Sequence, residues 1–428
     1  CQGAREDTVA PRQYAERHRG YVRVLGIGCG PKCQWAVFAC RWRTCAGLKR
    51  RALLSVMVAD RTTPTADLPF QPEVMMTQLL KNSHRGAGLV SLAVDLAGAR
   101  LVSDPTAAKA LFALCPLAEM TPLCSLDALA KELGIAALSA KDERKRLRLG
   151  SFKALGATHA IAKQAAARTK DGNLSQALAG ETFVCASAGN HGLSVAAGAR
   201  LFGARAVVYI AETVPSPFGD RLRETGAEVV IEGTDYEESM AAAMTAAARE
   251  SWRLLSDSSW AGYVDSARDV MEGYLVMASE VGDQIEEPPT HIFLQAGVGG
   301  LAAACALMAR QLWGDDPTIC VVEPEFAPAL KASIEAGKIV RAPGPVSAMG
   351  RLDCKEPSLL ALDLLAREAD VFMTIRESDA ADAVSRLAQH GIDTSPSGVA
   401  GLAGLMTAVQ TPEDEAALAL TKQSRVLV

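Results

Sequence analysis

The sequence predicts an α/β protein built on parallel β-sheets. Between residues 182 and 322, short runs of apolar residues alternate with alanine-rich segments of helical length. Several of these runs lead through a glycine-containing turn into the next helical segment, which is the pattern of βαβ units. With 428 residues, the chain is also long enough to bury a large core and to form two or three domains.

The predicted elements alternate along the chain. The predicted strands, each a short apolar run, are 136–140, 182–186, 206–210, 228–231, 291–294 and 318–322. The predicted helices are 107–114, 125–133, 157–167, 193–202, 220–225, 236–249, 301–312 and 379–390. Gly203 and Gly226 directly follow two of these helices, at the position where glycine commonly ends a helix.

The composition argues against binding to nucleic acid or to a membrane. The formal net charge is −5 and only 5% of the residues are aromatic, so neither a basic surface nor a base-stacking surface is expected. The sequence has no uncharged apolar run of about 18 residues, which predicts no transmembrane helix. Beyond the N-terminal segment, the cysteines are scattered singly through apolar stretches, which indicates a reducing compartment and a cytoplasmic location.

Residues 1–74 differ in composition from the rest of the chain. Arginine is frequent there and acidic residues are few, so we interpret the segment as a poorly ordered or non-native extension. An organellar transit peptide is the alternative, although the usual serine richness is missing. The spacing of Cys29 with Cys33 and of Cys40 with Cys45 matches no zinc pattern well, and no metal site is predicted.

A lysine among apolar residues is the first candidate for chemistry. Lys153 follows Phe152 and precedes Ala154 and Leu155, at the point where a helix is expected to begin. Burial among such neighbours disfavours the ammonium form, and a neutral amine is what a lysine needs to form a Schiff base. The alternative is a lysine that extends from the start of a helix into solvent.

A glycine-rich loop between a predicted strand and a predicted helix is the second candidate. Its residues are Gly297, Val298, Gly299 and Gly300. Small residues let several backbone N–H groups converge on one anion, and the helix dipole adds to the attraction. The loop lacks the lysine of a Walker motif, so it predicts a small phosphate-bearing cofactor; the alternative is a close-packing turn.

Two further segments combine a turn with hydroxyl or amide side chains. The first, between a strand and a helix, suits the carboxylate of an amino acid and consists of Ser187, Ala188, Gly189, Asn190 and His191. Asn190 is also placed to donate to a phenolic oxygen, whereas the alternative for Ser187 is a helix N-cap. In the second, Ser397 can meet a heterocyclic nitrogen, although a capped helix explains that segment equally well.

In the order in which they occur along the chain, these four segments resemble those of the fold-type II pyridoxal-phosphate enzymes, the tryptophan synthase β-like group. The resemblance extends over about residues 107–407. Within this group, the chain is most similar to the diaminopropionate ammonia-lyases. The segments that carry this similarity are Lys141-Asp142-Glu143, Phe152-Lys153-Ala154-Leu155-Gly156, residues 290–299, Val322-Glu323-Pro324 and Asp257-x-x-Trp260-x-Gly262-Tyr263.

The resemblance implies pyridoxal 5′-phosphate as the cofactor and α,β-elimination from a small amino acid, which yields a 2-oxo acid and ammonia. Lys153 would carry the cofactor as a Schiff base and move the Cα proton, and Asp257 would be the second acid–base group. The residues implied to hold the cofactor are Gly297, Val298, Gly299 and Gly300 at its phosphate, Asn190 at its ring hydroxyl and Ser397 at its pyridine nitrogen.

The resemblance also implies two parallel-sheet domains with helices on both faces. Residues 75–181 and 263–428 would form the large cofactor-binding domain, and residues 182–262 would form a small mobile domain that binds the substrate carboxylate. Homodimers are usual among the relatives, so a homodimer is expected.

Two departures from the ammonia-lyase pattern leave the substrate open. Ala188 stands where the compared lyases carry an aspartate thought to serve the D-isomer, and Gly150-Ser151 replaces the usual Asn-Ala. We therefore expect activity on L-configured substrates only. The alternatives are a dehydratase acting on serine, threonine or 3-hydroxyaspartate, a β-replacement enzyme, and an inactive cofactor-binding paralogue.

Overall fold

The computed structural model describes residues 79–169 and 173–428, all of which lie in one compact unit. The predicted N-terminal extension, 1–74, and its two cysteine pairs lie outside the described residues.

The described residues form two β-sheets. The strands are β1 (Leu79–Lys81), β2 (Leu123–Ser125), β3 (Ala137–Lys141), β4 (Thr182–Ala186), β5 (Arg205–Ile210), β6 (Glu228–Ile231), β7 (Arg253–Leu254), β8 (His291–Gln295), β9 (Thr318–Pro324), β10 (Val371–Ile375) and β11 (Arg425–Leu427). One sheet has the order β1-β10-β9-β8-β11-β3-β2 and the other the order β6-β5-β4-β7. All pairings are parallel except those of the edge strands β1 and β2, which confirms the predicted parallel α/β class.

Helices follow most of the strands, as βαβ units require. They are α1 (Ala93–Leu96), α2 (Thr106–Ala113), α3 (Asp127–Glu132), α4 (Lys153–Arg168), α5 (Asn190–Leu201), α6 (Ser216–Thr225), α7 (Tyr236–Glu250), α8 (Asp265–Gln284), α9 (Gly300–Trp313), α10 (Ala329–Ala336), α11 (Leu359–Glu368), α12 (Glu377–Gln389), α13 (Pro396–Ala408) and α14 (Pro412–Leu418).

The larger sheet is covered on both faces. In β8, Ile292 and Leu294 pack into one apolar cluster with α9 and α11, whereas Phe293 between them packs into a second cluster with α13. Successive side chains of a strand point to opposite faces, so a strand buried on both sides reads as a continuous apolar run. This explains why β8 was recognisable in the sequence.

The sequence-based assignments need correction in two respects, a wrong boundary and missed elements, of which the longest is α8. The predicted helix 125–133 is α3, which begins only at Asp127, because the backbone N–H of Leu126 bonds the carbonyl of Leu138 and residues 123–125 pair with β3 instead. The 20-residue helix α8 was not predicted. Its start carries no side-chain cap and its polar face is strongly charged, so the usual signal for a helix start is absent.

Close packing of α4 against α8 depends on a glycine. A Cβ atom at Gly273 would lie 2.2 Å from the carbonyl oxygen of Leu155, which is backbone and cannot turn aside. Overpacking costs about 1–3 kcal/mol, so Gly273→Ala should lower the free energy of unfolding by at least about 1 kcal/mol in a urea titration. Gly350→Ala is the control, since its nearest neighbour would lie 3.9 Å away; an equal loss in both variants would contradict the packing argument.

Candidate active site

Lys153 is the first residue of α4, as predicted, and a constrained loop leads into it. Leu147, Arg148 and Gly150 have positive φ angles of 47°, 58° and 84°. Such backbone persists in non-glycine residues only where the surroundings hold it. Here the buried Arg146 side chain holds it, with an ion pair of 2.6 Å to Glu280 of α8. The position of Lys153 is therefore fixed by the loop before it and not by the helix alone.

Segments shared with the ammonia-lyases also have structural roles. Lys141 pairs with Glu280 at 2.8 Å, in the same buried cluster as Arg146. The carboxylate of Glu323 is buried and accepts hydrogen bonds from the backbone N–H groups of Leu330 and Lys331, both at 2.8 Å. Burial raises the pKa of Glu323 to about 8, against these two hydrogen bonds. Glu323 thus anchors the start of α10.

The Lys153 amine contacts the carboxylate of Asp257, 104 residues away in sequence. Burial is the largest single influence and lowers the pKa of Lys153, but the charge and hydrogen bond of Asp257, together with smaller contributions from neighbouring groups, raise that pKa above its usual value. In the same way, burial is the largest single influence and raises the pKa of Asp257, but the charges of Lys153 and His191 and the hydrogen bonds to the carboxylate together hold that pKa well below its usual value. Lys153 is therefore a paired ammonium in this structure, not the neutral amine that burial alone predicts.

The glycine loop lies beside this ion pair. A Cβ atom at Gly300 would lie 3.9 Å from the carbonyl oxygen of Asp257, and one at Gly297 would lie 3.0 Å from the sulfur of Cys354. Burial raises the pKa of the Cys354 thiol to about 11, and the Lys153 charge opposes this shift. Gly297 therefore has no room for a side chain, whereas a Cβ atom at Gly300 would make only ordinary contacts.

The predicted carboxylate segment faces the same place. His191, in the first turn of α5, bonds the carbonyl of Leu255 at 2.8 Å, two residues before Asp257, and its charge contributes to the lowered pKa of that aspartate. Ser187 accepts a hydrogen bond of 3.3 Å from the backbone of Gly189 and so shapes the turn. The strand β4 and the helix α5 thus bring this segment to the Lys153–Asp257 pair.

Ser397 lies in the first turn of α13 and is connected to the glycine loop through one residue. Its hydroxyl accepts a hydrogen bond of 3.1 Å from the backbone N–H of Arg351, whose carbonyl oxygen would lie 3.3 Å from a Cβ atom at Gly297. The helix N-cap is Ser395, which accepts from the backbone of Gly398. The sequence also allowed this segment to be explained as a capped helix, and the residue that caps the helix is Ser395.

The site contains buried polar atoms that have no partner within the described part of the chain. Of four such side-chain atoms, three belong to Ser151, His191 and Tyr274. Ser151 lies two residues before Lys153, and Tyr274 packs on Phe152 with 5.1 Å between ring centroids. Buried polar groups are normally hydrogen-bonded. Unpaired groups beside a loop suited to phosphate therefore fit a polar, anionic cofactor.

Sequence reasoning missed Tyr274 and Cys354 in this site. Tyr274 lies in the unpredicted helix α8, and Cys354 lies in the irregular segment between α10 and α11. A single cysteine or tyrosine outside a recognisable motif has no characteristic spacing to other residues, so the sequence does not mark it as part of a site.

Within the described residues, no group of three or more His, Cys, Asp and Glu side chains is arranged to hold a metal ion. None of the helices in the described ranges has the length and apolar character needed to cross a membrane.

Known proteins resemble the chain in sequence. The family described as pyridoxal-phosphate dependent enzyme matches residues 114–427. Diaminopropionate ammonia-lyase of Escherichia coli (strain K12) is 31% identical over 329 residues, which cover 72% of this chain and 83% of that protein. Human L-serine dehydratase/L-threonine deaminase is 28% identical over 277 residues, which cover 63% of this chain and 77% of that protein.

Solved structures show the same fold. The crystal structure of Escherichia coli diaminopropionate ammonia lyase in complex with D-serine has a TM-score of 0.73 and 28% identity, covering 82% of this chain and 92% of that chain. The processed form of threonine deaminase isoform 2 from Solanum lycopersicum shares the fold, with a TM-score of 0.65, 21% identity, and coverage of 87% and 93%. The predicted fold type and cofactor are confirmed. The chain belongs to the family of pyridoxal-phosphate dependent enzymes, with the fold-type II architecture and pyridoxal phosphate as its cofactor.

Proposed function

We propose that the chain is an ammonia-lyase that catalyses α,β-elimination on a small L-amino acid such as 2,3-diaminopropionate, giving pyruvate and ammonia. The observation that carries the proposal is the contact between the Lys153 amine and the Asp257 carboxylate beside the glycine loop. The identity of 31% to a diaminopropionate ammonia-lyase supports the choice of substrate.

The proposed cofactor contacts follow from the chemistry of each group. The backbone N–H groups of Gly297 to Gly300, at the start of α9, would hold the phosphate. Asn190 would donate to the ring hydroxyl, and the Ser397 hydroxyl would meet the pyridine nitrogen. When bound, the cofactor supplies an electron sink for the charge that develops at the substrate Cα.

Lys153 and Asp257 would divide the proton transfers between them. Lys153 Nζ would take the proton from the substrate Cα once its own nitrogen is neutral and free. Asp257, close enough to contact that nitrogen, would assist departure of the β-amino group by delivering a proton to it. The carboxylate stays ionised beside an ammonium and gains a proton only when the charge on Lys153 is lost.

The substrate carboxylate would bind at the start of α5. The segment from Ser187 to His191 offers backbone N–H groups at a helix N-terminus, where the dipole favours an anion. The unpaired ring nitrogen of His191 gives this segment a further polar group. Residues 182–262, which contain the four-stranded sheet, would close over the bound amino acid as a small domain and exclude water.

A dehydratase is the second candidate, favoured by Ala188 and by Gly150-Ser151 beside Lys153. The test is release of ammonia and keto acid from L-diaminopropionate, D-diaminopropionate, L-serine, L-threonine and 3-hydroxyaspartate. We expect the highest kcat/KM for L-diaminopropionate and little turnover of the D-isomer, since Ala188 cannot act as a base. Comparable turnover of both isomers would contradict the assignment of Ala188, and a preference for serine would replace the lyase with a dehydratase.

The proposal includes a cytoplasmic homodimer. The cysteines within the described ranges, such as Cys185 and Cys320, are free thiols, in line with a reducing compartment. The homodimer is an analogy with relatives, and sedimentation of the purified chain tests it.

A further inference from the structure

Tyr274 of α8 is a buried tyrosine whose hydroxyl has nothing to bond within the described residues. The residue is 2% exposed, and its oxygen is among the buried atoms without a partner. An unsatisfied buried hydroxyl costs about 1–3 kcal/mol. A polar group kept at that cost points to a partner that is not part of the protein.

The hydroxyl end of the Tyr274 ring lies close to two glycines of the candidate active site. A Cβ atom at Gly156 of α4 would lie 2.9 Å from the hydroxyl-bearing carbon Cζ, and one at Gly300 would lie 3.8 Å from the adjacent carbon Cε2. Gly156 is one helical turn beyond Lys153, and Gly300 closes the glycine loop and begins α9. The ring therefore reaches the space that Lys153 and the loop share.

Within the described residues the hydroxyl bonds no acceptor. Among the groups of the site, Lys153 is an ammonium and only donates, the loop offers backbone N–H donors, and the Asp257 carboxylate bonds Lys153 and not Tyr274. Burial raises the pKa of Tyr274 above its usual value, so the phenol keeps its proton and can donate. A site that offers several hydrogen-bond donors and no acceptor is suited to bind an oxyanion.

We propose that the Tyr274 hydroxyl donates a hydrogen bond to the phosphate group of pyridoxal phosphate and completes the cradle formed by the glycine loop. This inference rests on the cofactor position given under the proposed function. Tyr274 is then a cofactor-binding residue on a helix from outside the phosphate loop, and its contribution depends on the phosphate and not on the ring or the aldehyde of the cofactor.

The test compares the binding of pyridoxal phosphate with the binding of pyridoxal, which lacks the phosphate, to the 428-residue chain after removal of cofactor. Tyr274→Phe should weaken the binding of pyridoxal phosphate roughly 10- to 100-fold, as expected for one hydrogen bond to a charged group. The binding of pyridoxal should stay unchanged. The cofactor-free variant should unfold at the same or a higher temperature, because an unpaired buried hydroxyl is removed.

Tyr263→Phe is the matched control. The Tyr263 hydroxyl is also largely buried, but it accepts from the backbone N–H of Ser256 at 2.9 Å and donates to the carbonyl of Leu254 at 3.0 Å. Loss of the Tyr263 hydroxyl should lower the unfolding temperature. It should not change the binding of pyridoxal phosphate relative to the binding of pyridoxal. Equal weakening of both ligands by Tyr274→Phe, or no weakening, would overturn the inference alone. Failure of the unmodified chain to bind pyridoxal phosphate would overturn the proposed function and the inference with it.

Discussion

Replacing Lys153 with alanine is expected to abolish elimination together with the visible absorbance of the lysine-bound cofactor. Lys153 is the amine beside the glycine loop and is proposed to serve both as the attachment point and as the base at Cα. Its loss should lower kcat by more than about 10⁴-fold, beyond the usual contribution of a single proton-transfer group. Ammonia release under saturating substrate and an absorbance spectrum of the purified variant measure the two effects.

Lys163→Ala is the control for this substitution. Lys163 lies ten residues further along the same helix α4 and also pairs with a carboxylate, that of Asp269 at 2.7 Å. The Lys163→Ala variant should keep both the visible absorbance of the lysine-bound cofactor and its turnover. Unchanged turnover in Lys153→Ala would end the catalytic assignment, whereas loss in both variants would indicate damage to α4 and not to the chemistry.

Local turn chemistry is what made much of the candidate site predictable. The loop from Gly297 to Gly300 and the segment from Ser187 to His191 each lie between a strand and a helix, and both elements are recognisable from local patterns. In parallel sheets such loops gather at the carboxyl ends of the strands. Each loop is therefore placed at the carboxyl end of its own strand, but the two strands belong to different sheets, so strand topology alone does not bring both loops to Lys153.

Pairings between distant residues were not predictable in this way. Nothing local marks Asp257 as the partner of Lys153, and only the resemblance to known enzymes drew attention to it. Burial was the only influence on the pKa of Lys153 that the sequence revealed, whereas the structure adds the opposing charge of Asp257. Tyr274 was missed for a related reason, because its ring fits only where Gly156 of another helix leaves space for it.

Asp257→Asn should separate cofactor attachment from turnover. Without the carboxylate, burial is the largest remaining influence on Lys153, so the pKa of the amine should fall from its raised value. Attachment of the cofactor needs the neutral amine, and its pH dependence should therefore move to lower pH in the variant. Turnover should nevertheless fall roughly 10²- to 10⁴-fold, because the second acid–base group is gone.

The pH dependence of the unmodified ion pair has a definite sign. The lowered pKa of Asp257 means that its stabilising contribution is present above the ordinary carboxyl pKa and is lost as the pH falls through the lowered value. The raised pKa of Lys153 means that its contribution is lost only as the pH rises through the raised value. The pair therefore remains intact over the whole neutral range, and Asp257→Asn should lower the unfolding temperature throughout that range.

Asp269→Asn is the matched control for Asp257→Asn, because both aspartate side chains are 16% exposed and both pair with a lysine of α4. It should change neither the pH dependence of cofactor attachment nor kcat by more than about 2-fold, since its partner is Lys163 and not the Lys153 amine that carries the cofactor. If Asp257→Asn retained full turnover, the acid–base assignment would fail while the attachment role of Lys153 stood. If instead its attachment profile moved to higher pH, the carboxylate would not be what holds the amine charged, and the charge state assigned to Lys153 would be wrong.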